Sequence, residues 1–570
     1  MSQTGPFQLH SQPLAALPIV DHFLARMGLE AVLGRWLPAA DRRVALEPGR
    51  AVGLIVRNIC LARRPIYGIG DWAARFDPRL LGLDGGELEL LNDDRVGRAL
   101  EALFDCDRGS LLCELVLGVI REFEVDCGQL HNDSTSITLH GAYAQADGRQ
   151  RGGKPTPAAA FGHSKDHRPD LKQLVLTLTV SADGALPLAH RVLDGNTNDD
   201  QTHIATWDGL VKLAGRRDFL YVADSKLATR EQLSHICARG GRFVTVLPAS
   251  RAEDAQIRAW AQTNAFEWTE AERRPGRRKD SPPDVWWTAP APIPTSEGHR
   301  IVWVRSSQKH ARDADSRQAR IERGLGALQS LSGRLAGPRS RLRTRVAVEE
   351  AARAALAGAG AERWITWAVS ERVEETFRQE KRGRPGNDTR YRKQTKTRFE
   401  LAFEVDAATV AYAAATDGCF PLVTNDRALT DPDVLAAYRY QPNLEKRYHQ
   451  LKSVQGATPV LLKSAARIEA LLCCDFIALL CSCLIERELR RAMARNEIAD
   501  LPLYHEDRAS KAPTAARVYD LFADVTRHQL HRNGQLVQTF DPELTALQRQ
   551  VLELLGVPTT SYAPTAPEQR

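Results

Sequence analysis

Three acidic residues stand out in this chain: Asp133 in LHNDSTSITLHG, Asp224 in FLYVADSKLAT and Glu445 in QPNLEKRYHQLK. Two strand-borne aspartates and a helix-borne glutamate supply the hard oxygen ligands that a pair of Mg²⁺ ions takes. Such a pair catalyses phosphodiester chemistry by activating the attacking oxygen and stabilising the leaving one, with Mn²⁺ as a substitute. The chemistry points to cutting and joining nucleic acid. An acid inside a strand is unfavourable without a cation or hydrogen-bond partner, and Asp133 sits among Ser and Thr in such a run. Asp224 follows the apolar LYVA, at a strand end where α/β folds often place catalytic groups. Capping the helix that follows is its alternative role. Glu445 lies on a helix predicted to start at Pro442, a residue favoured in the first turn. Leu444, Tyr448 and Leu451 would anchor that helix, and Lys452 falls two turns beyond Glu445 on nearly the same side. A surface helix of ion pairs has the same spacing.

The elements that must position these acids change character along the chain. Residues 12 to 122 read as helical: Ile19, Phe23, Leu24 and Met27 recur at helix spacing, as do Val52, Ile55, Ile59 and Leu61. NDDRVGRALEALF opens on an Asn-Asp cap. Arg42, Arg43, Arg50, Arg57, Arg63 and Arg64 punctuate this part, as a DNA grip or as a solvated basic face. From Leu130 the period becomes that of strands. LHNDSTSITLH, LKQLVLTLTV and ALPLAHRVL follow one another, the last two joined across SADG. A helical stretch over 200–213, the strand FLYVAD, the helix TREQLSHICAR and the strand RFVTVLP come next. The order β-β-β-α-β-α-β is that of an RNase H-like core, whose metal site forms where the first and fourth strands lie side by side. The expected fold is α/β, with an RNase H-like catalytic core (a mixed five-stranded sheet with helices) interrupted by an insertion and preceded by an all-α N-terminal domain. The expected domains are 1–125 (helical, DNA-end binding), 126–249 (first part of the core), 250–424 (inserted basic subdomain), 425–490 (second part of the core) and 491–570 (helical, then a disordered tail at YAPTAPEQR). Within 250–424, FELAFEVD and CFPLVTND read as strands returning the chain to the core.

Other motifs offer competing chemistry. In GHSKDHRPD, His163 and His167 flank Asp166 at a spacing zinc would use on a helix, but the segment reads as a loop and no Glu takes the general-base position. Lys165, Arg168 and Lys172 fit phosphate contacts better. KRGRPG, with Lys381, Arg382 and Arg384, has the Gly-Arg-Pro character of a minor-groove reader; a solvated basic loop is the plainer reading. Trp286, Trp287 and Trp303 are stacking platforms for an unpaired base or ordinary core. Cys473, Cys474, Cys481 and Cys483 in LLCCDFIALLCSCLI read as a buried helix using Cys as a small apolar residue. That run is short for a membrane span and Asp475 interrupts it.

Hydrophobic content of 43% and charge of 26% are ordinary for a globular protein, so composition argues against disorder. At 570 residues several domains are expected, and a net charge of +6 is too small to decide the partner. The ten cysteines follow no disulfide spacing, and MSQTGPFQLHSQ lacks the basic region and apolar run of a signal peptide. The expected location is the bacterial cytoplasm, at the nucleoid.

On these residues the chain resembles a bacterial insertion-sequence transposase of the DDE class, in the superfamily marked by Y-x2-R-x3-E-x6-K. The motif falls on Tyr438, Gln441, Glu445 and Lys452, with Gln441 at the Arg position. Arg439 and Arg447 stand nearby to supply the contact that Gln441 lacks. NDDRVGRALEALF, HNDSTSITLHG, GHSKDHRPDLKQ, LDGNTND, VADSKL and DGCFPLVTND extend the resemblance over most of residues 10 to 485. The resemblance implies that Asp133, Asp224 and Glu445 hold two Mg²⁺ ions, and that Tyr438 and Lys452 hold the DNA backbone. It further implies cleavage at the terminal inverted repeats, strand transfer into target DNA, often through a hairpin, and a homodimer assembled on two ends. A catalytically silent DNA-binding derivative and a stand-alone nuclease of the same fold are the alternatives.

Overall fold

The computed structural model describes residues 6–38, 46–198, 202–276, 281–337, 340–504, 506 and 508–563. Arg42, Arg43, the start of the helical stretch expected from residue 200 and the tail beyond residue 563 lie outside these. The chain divides into two compact units, Met1–Thr245 with Ala436–Arg570, and Val246–Leu435.

In the first unit, the chain enters the sheet at β1 (Gln129–Leu139) and continues through β2 (Lys172–Ser181) and β3 (Pro187–Leu193). Helix α1 (His203–Ala214), β4 (Leu220–Val222), helix α2 (Arg230–Ala238) and β5 (Arg242–Val246) follow. The spatial order is β3-β2-β1-β4-β5. β1 and β3 both pair antiparallel with β2, whereas β4 pairs parallel with β1 and β5 parallel with β4. β2 is covered almost throughout, which suits its Val, Leu and Thr residues, good formers of a pleated, packed surface. The register is informative: His131 lies opposite Val222 at the last pair of the β1–β4 ladder. Asp133, still within β1, and Asp224, just past β4, each stand two residues beyond this pair.

Helix α6 (Ala465–Arg495) packs against β3. The helices Leu17–Arg26, Pro48–Leu61 and Asp93–Asp105 all touch α6. At 31 residues α6 is long and apolar enough to cross a membrane by length and composition, so length does not exclude a span as the shorter run LLCCDFIALLCSCLI suggested. Its most apolar stretch is instead 89% buried inside the protein, which is the condition of a core helix. Cys473, Cys474, Cys481 and Cys483 are all buried there.

Two expectations fail at the chain ends. Phe7–Pro13 is a strand, paired antiparallel with Thr526–Arg532, which in turn pairs with Gln535–Phe540. The N-terminal part is therefore not wholly helical, nor is the region after residue 490. The cause is the turn Asn533-Gly534, both residues at positive φ (53° and 78°), the geometry of a tight two-residue hairpin. Tyr562, read as the start of a disordered tail, is buried and donates its hydroxyl to the Ala15 carbonyl at 2.9 Å.

The second unit carries an antiparallel set, β6 (Thr269–Arg274), β7 (Asp284–Pro290), β8 (Arg300–Ser306) and β11 (Cys419–Thr424), in the order β11-β8-β7-β6. Between β8 and β11 come α3 (Ser307–Ala336), α4 (Arg345–Ala359) and a hairpin of two fifteen-residue strands, β9 (Ile365–Gln379) and β10 (Tyr391–Val405). Leu328, Leu331, Val348, Leu356, Ile365 and Phe399 form one apolar cluster that seats the hairpin base on both helices. FELAFEVD is thus the last part of β10, paired along its length with β9, rather than a strand of the larger sheet. Trp303 on β8 is fully buried and is a core residue; Trp286 and Trp287 on β7 are half-buried.

Asp475 lies on α6 with 3% exposure, and burial pushes its carboxyl up to about 8. A carboxyl raised in the fold contributes stability that is complete below its unfolded value near 3.8 and is lost as pH rises through 8. Stability should therefore fall between these values by about 1.4 kcal/mol per pH unit from this group alone. We expect Asp475→Asn to remove that slope, so that the variant gains on the parent from pH 5 to pH 8 in thermal melts and no further above. Parallel melting curves across the range would refute it.

Candidate active site

Asp133 lies within β1, and Leu178 is its partner on β2. Its Oδ1 accepts the Ser134 amide at 2.7 Å and lies 3.2 Å from the Lys165 ammonium. Burial raises the Asp133 carboxyl above its ordinary value; Lys165 opposes the rise and the neighbouring Asp224 adds to it. The two aspartates therefore sense each other directly. Asp224 does not end the strand itself. It stands two residues past β4 and caps the single turn Ser225–Leu227, its Oδ1 accepting the Lys226 amide at 3.0 Å. Helix α2 is capped instead by Thr229.

Glu445 is on α5 (Pro442–His449), exposed to solvent, while Leu444 and Tyr448 are buried beneath it. The helix is fixed to β1 at both ends. At its start, Gln441 donates Nε2 to the Asn132 carbonyl at 3.1 Å and shares a 2.9 Å hydrogen bond between Oε1 and His131 Nδ1. Gln129 Nε2 approaches the other ring nitrogen of His131 at 2.8 Å. Burial holds His131 down to about 4, so the ring is neutral, donating through Nδ1 and accepting at Nε2. Near its end, Tyr448 donates to the Asp133 carbonyl at 2.6 Å. The Tyr438 phenol is pushed up to about 12, first by burial and then by the charges of Asp224, Glu445 and Asp133.

The loop carrying GHSKDHRPD runs beside β1. Lys165 also donates to the carbonyl and hydroxyl of Ser134 at 2.7 and 2.8 Å. Asp166 accepts from Thr138 Oγ1 at 2.7 Å and from Lys452 Nζ at 2.9 Å. Lys452 does not continue α5 as predicted: it belongs to a π-helical turn, Gln450–Val454, closed by the Gln455 amide on the Gln450 carbonyl at 2.8 Å. Such turns are rare and frequent at functional sites. His163 and His167 are exposed and not on a helix, so the zinc spacing has no helical basis.

Several residues expected to meet DNA do otherwise. Gln441 and Arg447 are buried, and Arg447 is spent on the carbonyls of Gly184 and Ala185 and on Glu486. Both hold the protein together. Arg57 is equally internal, ion-paired to Asp21 and Glu30, and Arg50 pairs with Asp84 and Glu87. Arg168 is exposed but forked onto Asp170, and Lys172 donates to the Ala142 carbonyl. Arg439 is half-buried. In the second unit Lys381, Arg382 and Arg384 are exposed at the tip of the β9–β10 hairpin. His131 is missed at the level of sequence, although a His two residues before Asp133 shares its strand face; Tyr448 enters there only as a helix anchor and Asp166 only within the zinc spacing.

Among the described residues, no three His, Cys, Asp or Glu side chains stand close enough together to hold a metal ion. The chemistry of the set still fits a divalent cation. Its donors are carboxylates, and a positive charge, the Lys165 ammonium, already lies against Asp133.

Residues 9–117 match DUF4277, a domain of unknown function. No curated protein matches the chain. Among solved structures the chain is weakly similar to piggyBac transposase in a cryo-EM synaptic complex with hairpin DNA, with a TM-score of 0.26 and 11% identity. That match covers 53% of this chain and 63% of the other, less than two thirds of its length.

Replacing Gln441 with Leu removes its hydrogen bonds to the His131 Nδ1 and the Asn132 carbonyl. We expect a loss of about 1–3 kcal/mol in denaturant unfolding. Unchanged stability would remove Gln441 from its anchoring role.

Proposed function

We propose that the protein is a metal-dependent DNA transposase of the DDE type, with an RNase H-like core. The observation that carries this reading is the register of β1 and β4, whose last pair, His131 with Val222, lies two residues before Asp133 and two before Asp224, beside a helix fastened to β1. In this reading Asp133, Asp224 and Glu445 hold two Mg²⁺ ions. When bound, the ions supply activation of the attacking oxygen and stabilisation of the leaving one.

The chain's own residues contribute the rest. Lys165 neutralises Asp133 before a cation does, which keeps two neighbouring carboxylates from repelling each other at full strength. With a cation beside Asp133, the Lys165 ammonium would be able to meet a DNA phosphate. Lys452 is pre-positioned by Asp166 on the same side of β1 and takes a second phosphate. Tyr438, kept a neutral phenol at physiological pH, donates a hydrogen bond to the backbone without adding a charge. The exposed basic tip at Lys381, Arg382 and Arg384 adds a sequence-independent contact. Such an enzyme works on terminal inverted repeats and target DNA, as a homodimer on two ends.

The test combines purified protein, labelled DNA flanking the coding sequence, Mg²⁺ or Mn²⁺ and a supercoiled target. We expect end cleavage and strand transfer, and a fall of roughly a thousandfold in Asp133→Asn and Asp224→Asn, as loss of metal stabilisation implies. Cleavage that survives in both variants would overturn the assignment. Cutting without end dependence or strand transfer would reduce the protein to a nuclease.

A further inference from the structure

Away from the acids, a cavity of about 510 Å³ lies between the helix Pro48–Leu61, the turn after it, the loop that follows the π-helical turn, and α6. Its wall mixes apolar side chains, Ile, Leu and Pro among them, with polar ones, of which Gln455 and Asp475 are sunk below the surface. Gln455 is 5% exposed, and neither its amide nitrogen nor its amide oxygen has a hydrogen-bond partner. Asp475 is the second, and burial keeps its carboxyl protonated at neutral pH. A primary amide and a carboxylic acid each present a donor beside an acceptor. That is the pattern on the hydrogen-bonding edges of nucleobases.

The outer part of the cavity is equally particular. Tyr67 lines it with 78% of its surface exposed, an aromatic face with little protein covering it. Arg63 and Arg64 line it too and are exposed. Asn58 holds them there: its Nδ2 donates to the Arg64 carbonyl at 2.7 Å and its Oδ1 accepts the Arg64 amide at 3.0 Å. Arg63 adopts φ of +52°, a left-handed conformation that a long side chain rarely takes without being held. Asp93 and Asp94 also line the cavity, and Arg467 is committed to Glu101.

We propose that this cavity receives an unpaired nucleobase, with Tyr67 stacking on its face, Gln455 and Asp475 meeting its edge, and Arg63 and Arg64 holding the attached phosphate. An exposed aromatic face, side chains that pair a donor with an acceptor, and two cationic side chains together suit a base with its phosphate better than a peptide or a sugar. Two sources share that chemistry, a base unpaired in a DNA strand and a free nucleotide. The site stands independently of the metal chemistry.

The test uses the full chain and a single-stranded 12-mer carrying 2-aminopurine, with the matched duplex and AMP as comparisons. We expect the single strand to bind with a fluorescence change, and Tyr67→Ala to weaken it about tenfold, the worth of one stacked base. Gln455→Leu should weaken it similarly with an unchanged or higher melting temperature, because it removes an unpartnered buried amide. Tyr67→Ala, a surface change, decides the matter if Gln455→Leu fails to fold. Displacement by AMP assigns the site to a free nucleotide; retention assigns it to a strand. Equal binding by parent and Tyr67→Ala, or the same fluorescence change with duplex, overturns the proposal. Asp133→Asn should leave this binding intact.

Discussion

The candidate site hangs on the amide of Gln441. Strand pairing brings Asp133 and Asp224 near each other, because the last rung of the β1–β4 ladder lies two residues before each and a ladder permits few registers. Glu445 has no such guarantee, since its helix returns to β1 from more than three hundred residues away. What fixes it is a buried relay from Gln129 through the His131 ring to Gln441 and back to the Asn132 carbonyl. A buried polar relay costs desolvation and is favourable only when each member is satisfied. With a neutral imidazole every donor here meets an acceptor, so the relay accepts one placement of the helix and rejects its neighbours.

Much of this was legible from residue types. Alternation and turn signals over 130–246 are strong because the segment is a local meander followed by α/β units, whose strands find partners close in sequence. Glu445 was legible through Pro442 and the apolar spacing of Leu444, Tyr448 and Leu451, all of which are buried. Gln441 and Arg447 were read as surface groups for a different reason. A side chain that binds a carbonyl and one that binds a phosphate are chemically alike, and only docking of the helix decides which it meets. Likewise a helix spacing of seven could not foretell the π-helical turn that re-aims Lys452.

The β-ribbons were harder. Asn533-Gly534 is a strong hairpin signal, but the strand before it is evenly half-covered and the strand after it almost wholly exposed, so neither shows the alternation that marks a strand. The β9–β10 ribbon hides behind charge. Its outer half is exposed on both faces, so no apolar period survives there, and RYRKQTKTR resembles a loop until its register with β9 is seen. Only the base, at Phe399 and Leu401, touches a core.

The pairing of Phe7–Pro13 with Thr526–Arg532 bears on how the chain is made. The first strand emerges from the ribosome more than five hundred residues ahead of its partner. At about 5–20 residues per second, that is roughly half a minute to nearly two minutes of waiting. Through that interval Phe7 and Leu9 belong to an unpaired edge, a template for any passing strand. Translation speed and chaperone cover over the nascent N-terminus thus become part of the conditions under which this molecule reaches its fold.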